Sequence, residues 1–280
     1  MRVHVIGASG RSGAALCRAL QADGVDYVPV VRSAERWAAT GLSAEARIAD
    51  LEGGGLGPAL DGADVVVSCA HARHIPAIMA AAPTSARFVG LGSTRKFTQW
   101  PDAHGNGVLA GERVWLASGR SGALLHPTMI YGAAGEDNVQ RLAALLRRLP
   151  LVPLPDGGRA LVQPIHQSDV TRSLRAAIDV AWTAPETIVI AGPTPLPYAE
   201  FVQKVAEAAG LRRPLMVNLP ATLLLAAAPL TRLPFLPLIQ AAEIRRLLEN
   251  KDFATEAMQS RLGVWPIPLE TGLALTFGPR

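Results

Sequence analysis

The chain has 280 residues, of which 49% are hydrophobic and 18% are charged, and its formal net charge is +4. This composition excludes a disordered chain, and the length suits one large α/β domain or two closely joined lobes. The arginines are scattered without interleaved aromatic residues, so we expect no nucleic-acid partner. Two cysteines, Cys17 and Cys69, support no disulfide framework, and no signal-like segment precedes the first strand. These features predict a cytoplasmic protein.

The first element that the sequence predicts is a strand that turns into a helix through three glycines. The apolar run Val3–Ile6 ends at Gly7, and two more glycines follow at three-residue intervals. In dinucleotide-binding folds such glycines allow a tight turn, close approach of the diphosphate and close helix–sheet packing. The alternative is a purely structural corner. The residues that we expect to contact a cofactor here are Gly7, Ser9, Gly10, Arg11, Ser12 and Gly13.

The second predicted strand, Tyr27–Val31, ends at Arg32. At this position an Asp or Glu binds the ribose 2′-hydroxyl of NAD, whereas an arginine accommodates the 2′-phosphate of NADP. No acid is present, while Arg11 lies in the glycine loop and Arg36 follows four residues after Arg32. We therefore expect NADP as the cofactor, with NAD as the alternative, since Arg32 would also suit a solvated strand end.

Three more apolar runs, at residues 47–51, 64–70 and 88–91, predict further strands with helical segments between them. Such alternation is typical of a parallel sheet with right-handed crossovers. The predicted fold is therefore α/β, a doubly wound parallel sheet of the Rossmann type. Ligands bind such sheets at the carboxyl ends of the strands. The residues predicted to lie there are Gly7, Arg32, Asp50, Ala70 and Ser93.

The order of these motifs resembles a known family. GASGRSG at residues 7–13 is followed by Arg32, Asp50, SCAH at 68–71 and LGST at 91–94. Later segments are LLHPTMIYG at 124–132, QPIHQSDV at 163–170 and LGVWPIPLETGL at 262–273. Together they resemble the short-chain dehydrogenase/reductase superfamily, in its extended or atypical branch of NAD-dependent epimerase/dehydratase-like proteins.

The resemblance implies further cofactor contacts. His126 stands where the family has an arginine before proline, so the role of that arginine is not carried over. The implied contacts are Asp50 and Leu51 at the adenine, Ala70 and His71 at the ribose on the nicotinamide side, and Pro127 and Ile130 beside the nicotinamide.

The superfamily's usual catalytic pair, a Tyr and a Lys four residues later on one helix face, is absent. None of the three tyrosines is followed by a lysine at that spacing. If Glu112 is the acid that usually follows the pair, His104 stands at the tyrosine position and Val108 at the lysine position. The usual proton relay is therefore missing.

Four residues are candidates to replace it. Ser93 and Thr94 stand where the family orients the substrate, or else they cap the next segment. Lys96 would fix substrate charge or transfer a proton, or else it is a solvated loop lysine. His104 would act as an acid or base near neutral pH, or else it is a surface residue of a glycine-rich loop, HGNG.

The domain prediction places the dinucleotide-binding domain at residues 1–192 and a small, mostly helical lobe that caps the substrate at 193–280. Residues 150–158, rich in proline and glycine, are expected to form a loop over the site. Prolines interrupt the apolar stretch 223–238, so we expect no membrane span, but a lid or a partner surface there. No metal is expected, because His71 and His74 lack a Cys or carboxylate partner at a matching spacing.

Two functions remain open from the sequence. The first is an NAD(P)-dependent oxidoreductase or epimerase/dehydratase-like enzyme that acts on a small hydroxy or carbonyl compound or a nucleotide sugar; the second lobe favours it. The alternative is a non-catalytic NAD(P)-binding sensor, assembly factor or structural protein, which the missing Tyr and Lys favour. Whether the protein forms a homo-oligomer is also open.

Overall fold

The computed structural model describes residues 1–132, 138–149, 151–227 and 241–278. Strands and helices alternate through its first two thirds. The strands are β1 (Val3–Ile6), β2 (Tyr27–Val31), β3 (Arg47–Ile48), β4 (Val65–Ser68), β5 (Arg87–Leu91), β6 (Gly122–Pro127), β7 (Ile130–Tyr131), β8 (Leu151–Pro155), β9 (Leu161–Val162), β10 (Ile165–His166), β11 (Pro185–Ile190), β12 (Leu196–Pro197) and β13 (Leu215–Leu219).

The first eight helices that the structure describes each lie between two strands that are consecutive along the chain. Three short 3₁₀ turns, at Ala72–His74, Thr94–Phe97 and Asp156–Gly158, supplement them. The helices are α1 (Arg11–Ala22), α2 (Ala34–Ala38), α3 (Leu56–Leu60), α4 (Ile75–Ala81), α5 (Ala103–Ala117), α6 (Val139–Arg148), α7 (Gln167–Asp179), α8 (Tyr198–Ala208), α9 (Ala221–Ala227), α10 (Ala241–Arg246), α11 (Glu256–Leu262) and α12 (Leu269–Phe277).

The centre of the fold is a seven-stranded sheet with the order β11-β6-β5-β4-β1-β2-β3, and every pairing in it is parallel. All residues of β1 and β4 are buried, as a sheet covered on both faces requires. The strand order reverses between β1 and β4, which creates a crevice at their carboxyl ends. The predicted doubly wound parallel sheet is therefore confirmed.

Two hydrophobic cores cover the two faces of this sheet. One contains Leu16 and Leu20 of α1, Leu174 of α7 and Met258 of α11. The other contains residues of α3, α4 and α5, with Trp115 of α5 completely buried. Burial of apolar surface on both faces fixes the strand ends, and thereby the loops that follow them.

A third core joins segments from both sides of residue 192. It contains Tyr131, residues of α6, β8 and α8, and Leu269 and Leu273 of α12. Helix α11, by contrast, packs into a core of the main sheet. The division into 1–192 and 193–280 stays a prediction, and the packing of the described residues crosses that boundary in both directions.

Several sequence predictions need correction. Residues 151–155, expected in a loop over the site, form β8, which pairs in parallel with β13 because both carry apolar side chains against α8. The segment after 192 contains five of the described helices and also two strands, β12 and β13. The third strand is only Arg47–Ile48, because an antiparallel bridge between Asp50 and Gly54 turns the chain.

The apolar stretch 223–238 is described only to Ala227, where it forms α9; the lid or partner surface predicted for the rest lies outside the described residues. Among the helices that the structure describes, none combines the length and the apolar character needed to cross a bilayer.

Candidate cofactor and substrate site

The glycine corner lies at the crevice where the strand order reverses. Gly7 has a positive φ of 75°, and a Cβ on it would lie 3.3 Å from the amide nitrogen of Ala70, just beyond β4. A Cβ on Gly13 would lie 2.8 Å from the Cα of Ala8, and one on Gly10 would lie 3.2 Å from the carbonyl oxygen of Gly7. Each glycine therefore permits a close approach that a larger residue would prevent.

Helix α1 begins directly at this corner. Gly10 occupies its N-cap position, and no side chain caps the helix. The first N–H groups of an α-helix have no intrahelical partner and carry partial positive charge, so they form an anion site at the mouth of the crevice. The Ser12 hydroxyl donates to Gln167 Oε1 (3.1 Å), which ties the corner to the start of α7.

Arg32 follows β2 and is exposed, and its side chain makes no hydrogen bond or ion pair with any residue that the structure describes. The neighbouring Ser33 caps α2 by accepting a hydrogen bond from the Arg36 amide (3.2 Å). Asp50 is exposed on the neighbouring turn, where its carboxylate accepts the Glu52 amide (3.0 Å). The end of β2 therefore presents an uncommitted guanidinium to solvent.

The loop after β4 brings two histidines together. The rings of His71 and His104 meet edge to face with their centroids 4.4 Å apart, and Gly107 allows the contact because its Cβ would lie 2.9 Å from His71 Cε1. His71 Nδ1 accepts the Arg73 amide (3.0 Å), so its neutral form carries the proton on Nε2. Burial, and then the charge of His104, lower the pKa of His71 to about 4.

His104 lies in the first turn of α5 rather than in a glycine-rich loop. Asp102 caps this helix by accepting the Gly105 amide (2.8 Å), and its carboxylate also contacts Arg95. Partial burial and the charge of Arg95 lower the pKa of His104, although Asp102 opposes this shift. The imidazole ring of His104 is therefore neutral at neutral pH, and the residue as a whole is exposed to solvent.

Ser93 and Thr94 follow β5 and are both engaged with the backbone. Ser93 Oγ accepts the Arg95 amide (3.2 Å) and caps the 3₁₀ turn, which is the capping alternative expected for it. The Thr94 hydroxyl donates to the Pro127 carbonyl (3.1 Å) and is buried. The Ser93 hydroxyl proton remains available to a ligand, because Ser93 Oγ acts only as an acceptor in these contacts.

Lys96 is neither in a loop nor solvated. Its ammonium donates to both carboxylate oxygens of Glu112 on α5, at 2.5 and 2.7 Å, and lies 3.3 Å from Nε2 of His126 on β6. The side chains of Lys96, Glu112 and His126 are 9%, 13% and 1% exposed. This buried cluster joins the turn after β5 to the helix and strand beside it.

The hydrogen bonds determine the tautomer of His126. Its Nδ1 accepts the Ser93 amide (3.2 Å), so the proton of the neutral ring is on Nε2, which faces Glu112 Oε2 at 3.5 Å. Burial, and then the charge of Lys96, lower the pKa of His126 to about 3. Gly92 lets the ring pack against the backbone, because a Cβ there would lie 2.5 Å from its Cε1.

The end of β6 adds a residue that the sequence did not single out. Pro127 is buried and Ile130 is half-buried, and between them the Thr128 hydroxyl is buried without a hydrogen-bond partner among the described residues. The sequence also gave no signal that Arg95 and Arg246 would approach His104, because their separation along the chain follows no local pattern.

Other parts of the surface fit the expected chemistry less well. Two cavities of about 300 Å³ lie elsewhere, one lined by Arg2 and Tyr27 at the amino ends of the strands and one lined by Asp156 and Leu247. Within the described ranges, no group of three or more His, Cys, Asp or Glu residues could hold a metal ion. The carboxyl edge of the sheet is therefore the candidate site.

Comparison with known proteins supports this architecture. No protein-family model matches the chain, and no curated protein matches it. One similar solved structure is MoeE5 in complex with UDP-glucose and NAD, at 20% identity and a TM-score of 0.74 over 99% of this chain and 97% of that one. Another is the UDP-glucuronic acid 4-epimerase of Bacillus cereus in complex with UDP-glucuronic acid and NAD, at 15% identity and a TM-score of 0.75 over 99% of this chain and 98% of that one. A third is the NADPH-dependent quinone oxidoreductase QOR2 of Escherichia coli complexed with NADPH, at 16% identity and a TM-score of 0.76 over 99% of this chain and 100% of that one.

The fold and the glycine corner define the class as a Rossmann-type α/β protein with a doubly wound parallel sheet. The solved structures that match it over nearly their full length include a UDP-glucuronic acid 4-epimerase and an NADPH-dependent quinone oxidoreductase. The resemblance predicted from the motifs is thus confirmed at the level of the fold.

Proposed function

We propose that the protein is an NAD(P)-dependent oxidoreductase or epimerase/dehydratase-like enzyme that acts on a small hydroxy or carbonyl compound or a nucleotide sugar. The observation that supports it best is the glycine corner, which lies at the crevice between β1 and β4 and directly precedes an uncapped helix N-terminus. Similar structures hold NAD or NADPH in complex. A dinucleotide diphosphate fits such a corner.

NADP is the coenzyme that the end of β2 favours. A 2′-phosphate placed there would meet the uncommitted guanidinium of Arg32 and no carboxylate on β2. Charge-assisted hydrogen bonds between arginine and phosphate are among the stronger polar contacts in proteins. The other proposed contacts are Asp50 and Leu51 at the adenine, Ala70 and His71 at the second ribose, and Pro127 and Ile130 at the nicotinamide.

The bound nicotinamide would supply hydride exchange, and the chain would manage the accompanying proton. The Ser93 hydroxyl proton is free to bond a substrate oxygen. His104 is neutral at neutral pH, so it can accept a proton from a hydroxyl group as that group is oxidised. We assign Ser93 to orienting the substrate and His104 to proton transfer. Thr94, whose hydroxyl is buried and bonded to Pro127, would hold the turn that carries Ser93.

Lys96 has a positioning role in this proposal. Both oxygens of Glu112 hold its ammonium, so its charge is compensated inside the protein and not by a substrate. The cluster with His126 fixes the turn that carries Ser93. The non-catalytic alternative, a sensor or an assembly or structural protein, is favoured by the missing Tyr and Lys pair, and the experiment below separates the two.

The test measures coenzyme binding and turnover on the same preparation. We expect NADP to raise the melting temperature more than NAD at equal concentration, because a ligand stabilises the folded state by RT ln(1 + [L]/Kd). Arg32→Gln should remove the difference between the coenzymes. Arg113→Gln, an exposed arginine on α5, is the control and should leave it unchanged.

Turnover is then followed by NADPH absorbance with a panel of carbonyl compounds. Nucleotide sugars are followed by NMR of the products, because an epimerase or dehydratase regenerates its coenzyme and leaves the NADPH absorbance unchanged. His104→Gln should reduce kcat by about 100-fold or more, the range of general acid–base catalysis. Tight coenzyme binding with neither NADPH oxidation nor a converted nucleotide sugar would support the non-catalytic alternative. Equal stabilisation by NADP and NAD would contradict the role of Arg32.

A further inference from the structure

Two arginines from distant parts of the chain converge beside His104. Arg95 lies in the 3₁₀ turn after β5, and Arg246 is the last residue of α10. The charges of both guanidinium groups act on His104 and lower its pKa, after partial burial as the larger cause. Arg95 also contacts Asp102, the N-cap residue of the helix that carries His104, so it lies near the group that we assign to proton transfer.

The chain fixes this approach through Glu249, three residues after Arg246. The Glu249 carboxylate, 5% exposed, accepts the Thr98 hydroxyl (2.6 Å) and the Gln99 amide (2.6 Å), and Lys251 completes its contacts at 2.6 Å. The rings of Phe97 and Phe253 pack 5.6 Å apart beside it. The segment after α10 is thereby attached to the turn that carries Arg95.

Arg246 carries a positive charge in a partly buried position. It is half-buried, and its side chain makes no hydrogen bond or ion pair with any described residue. Burial, and then the charge of Arg95, lower its pKa. A partly desolvated guanidinium beside a second positive charge is unfavourable unless an anion compensates it.

The carboxylates near Arg246 are already used by other donors. Asp102 holds Arg95 and the Gly105 amide, and Glu249 holds the groups described above. Glu243 pairs with Arg141 at 3.2 Å. Arg95 itself has a buried Nε without a partner among the described residues. Among the described residues, both guanidinium groups therefore keep unused donors, while the carboxylates that act on Arg246, those of Glu243, Asp102 and Glu249, each hold another donor.

We propose that Arg95 and Arg246 bind an oxyanion of the substrate, a carboxylate or a phosphate group, in the cleft beside His104. The inference rests on the proposed function, since it specifies the substrate class of the same site. It restricts the hydroxy or carbonyl compound to one that carries an acidic group near the reacting carbon. The two arginines come from separate elements, the turn after β5 and the end of α10, so one acidic group bound by both would fix the orientation of the substrate.

Isothermal titration calorimetry with malonate and with inorganic phosphate, at constant ionic strength and in the presence of NADP, tests the site. NADP occupies the glycine corner, so that an anion does not bind there instead. We expect at least one of the two anions to bind saturably, and the one that binds more tightly identifies carboxylate or phosphate. Arg246→Gln should weaken it about tenfold or more, as expected for the loss of charged hydrogen bonds.

Arg245→Gln is the matched control, because Arg245 is exposed on the same helix and the change in charge is the same. It should leave the anion affinity unchanged, while Arg246→Lys should retain part of it. The proposal is overturned if the wild-type protein binds neither anion, or if both glutamine variants weaken binding equally. NADP binding is measured first in the same cell: anion binding that depends on Arg246 without NADP binding would refute the proposed function and leave this site standing.

Discussion

At the scale of single residues, the neutral imidazole of His126 holds the turn that carries Ser93. It accepts the Ser93 amide on one nitrogen and faces Glu112 with the other, and its side chain is 1% exposed. A charged ring here would stand against the Lys96 ammonium, 3.3 Å away. Protonation would therefore disrupt the contacts that hold the Ser93 turn.

This arrangement predicts a specific dependence of stability on pH. The folded pKa of His126 is about 3, below the ordinary value of 6.5, so between those values the unfolded chain binds a proton that the folded chain does not. The free energy of unfolding should fall as pH is lowered through this window, by up to about 1.4 kcal/mol per pH unit from this group.

Urea unfolding of the wild-type protein and of His126→Asn, between about pH 7 and pH 5, measures the effect. The Asn side chain can still accept the Ser93 amide but does not titrate, so the variant should show a shallower slope. The remaining histidines contribute to both proteins alike, and the difference between the slopes therefore isolates His126. Parallel slopes would contradict the assigned protonation state.

At the scale of elements, the turn after β5 is held to α5 by one buried ion pair. The nitrogen–oxygen distance is 2.5 Å between Lys96 and Glu112 and 2.7 Å between Lys204 and Glu270. The side chains of the first pair are 9% and 13% exposed, whereas those of the second pair are 30% and 65% exposed. Removing one partner of a buried pair leaves an uncompensated charge, whereas an exposed partner is replaced by water.

We expect Glu112→Gln to lower the free energy of unfolding by about 3 to 5 kcal/mol, and Glu270→Gln, the matched control, by less than about 1 kcal/mol. Urea unfolding measures both. Combining Lys96→Met with Glu112→Leu should recover much of the loss, because no unpaired charge then remains. A small effect of Glu112→Gln, similar to that of Glu270→Gln, would show that the pair does not anchor the turn.

At the scale of the whole molecule, the two ends of the C-terminal segment belong to different cores. Helix α11 contributes Met258 and Leu262 to the core of the main sheet, while α12 contributes Leu269 and Leu273 to the third core. Only residues 263–268 separate these helices. Such interleaved packing favours cooperative unfolding of the main sheet together with the third core.

Leu273→Ala tests this cooperativity. Leu273 is 1% exposed, so its loss should cost about 2 to 5 kcal/mol, whereas Leu275→Ala on the same helix, 65% exposed, should change stability by less than about 0.5 kcal/mol. We expect one urea transition by both tryptophan fluorescence and circular dichroism, shifted to lower urea in the first variant. Separate transitions by the two probes would indicate that the third core unfolds independently.

The sequence by itself determined the local elements and the place of the cofactor corner. Strand β2 has the predicted bounds, and Gly7, Gly10 and Gly13 form the strand–helix turn that their spacing predicts. These features depend on neighbouring residues, through apolar periodicity and backbone freedom. The sequence signal was therefore sufficient for the fold class and for the carboxyl edge where ligands bind.

The tertiary structure alone decided which side chains meet at that edge. Lys96 lies 16 residues from Glu112 and 30 from His126, and the contact of Gln99 with Glu249 spans 150 residues. The pairing of β8 with β13, which replaced the predicted loop, also joins segments that are far apart in the sequence. Such contacts leave no periodic trace along the chain, because burial and charge compensation depend on how separate elements pack together. For the same reason, the lowered pKa values of His71, His104 and His126, and the approach of the two arginines to His104, depend on the folded chain.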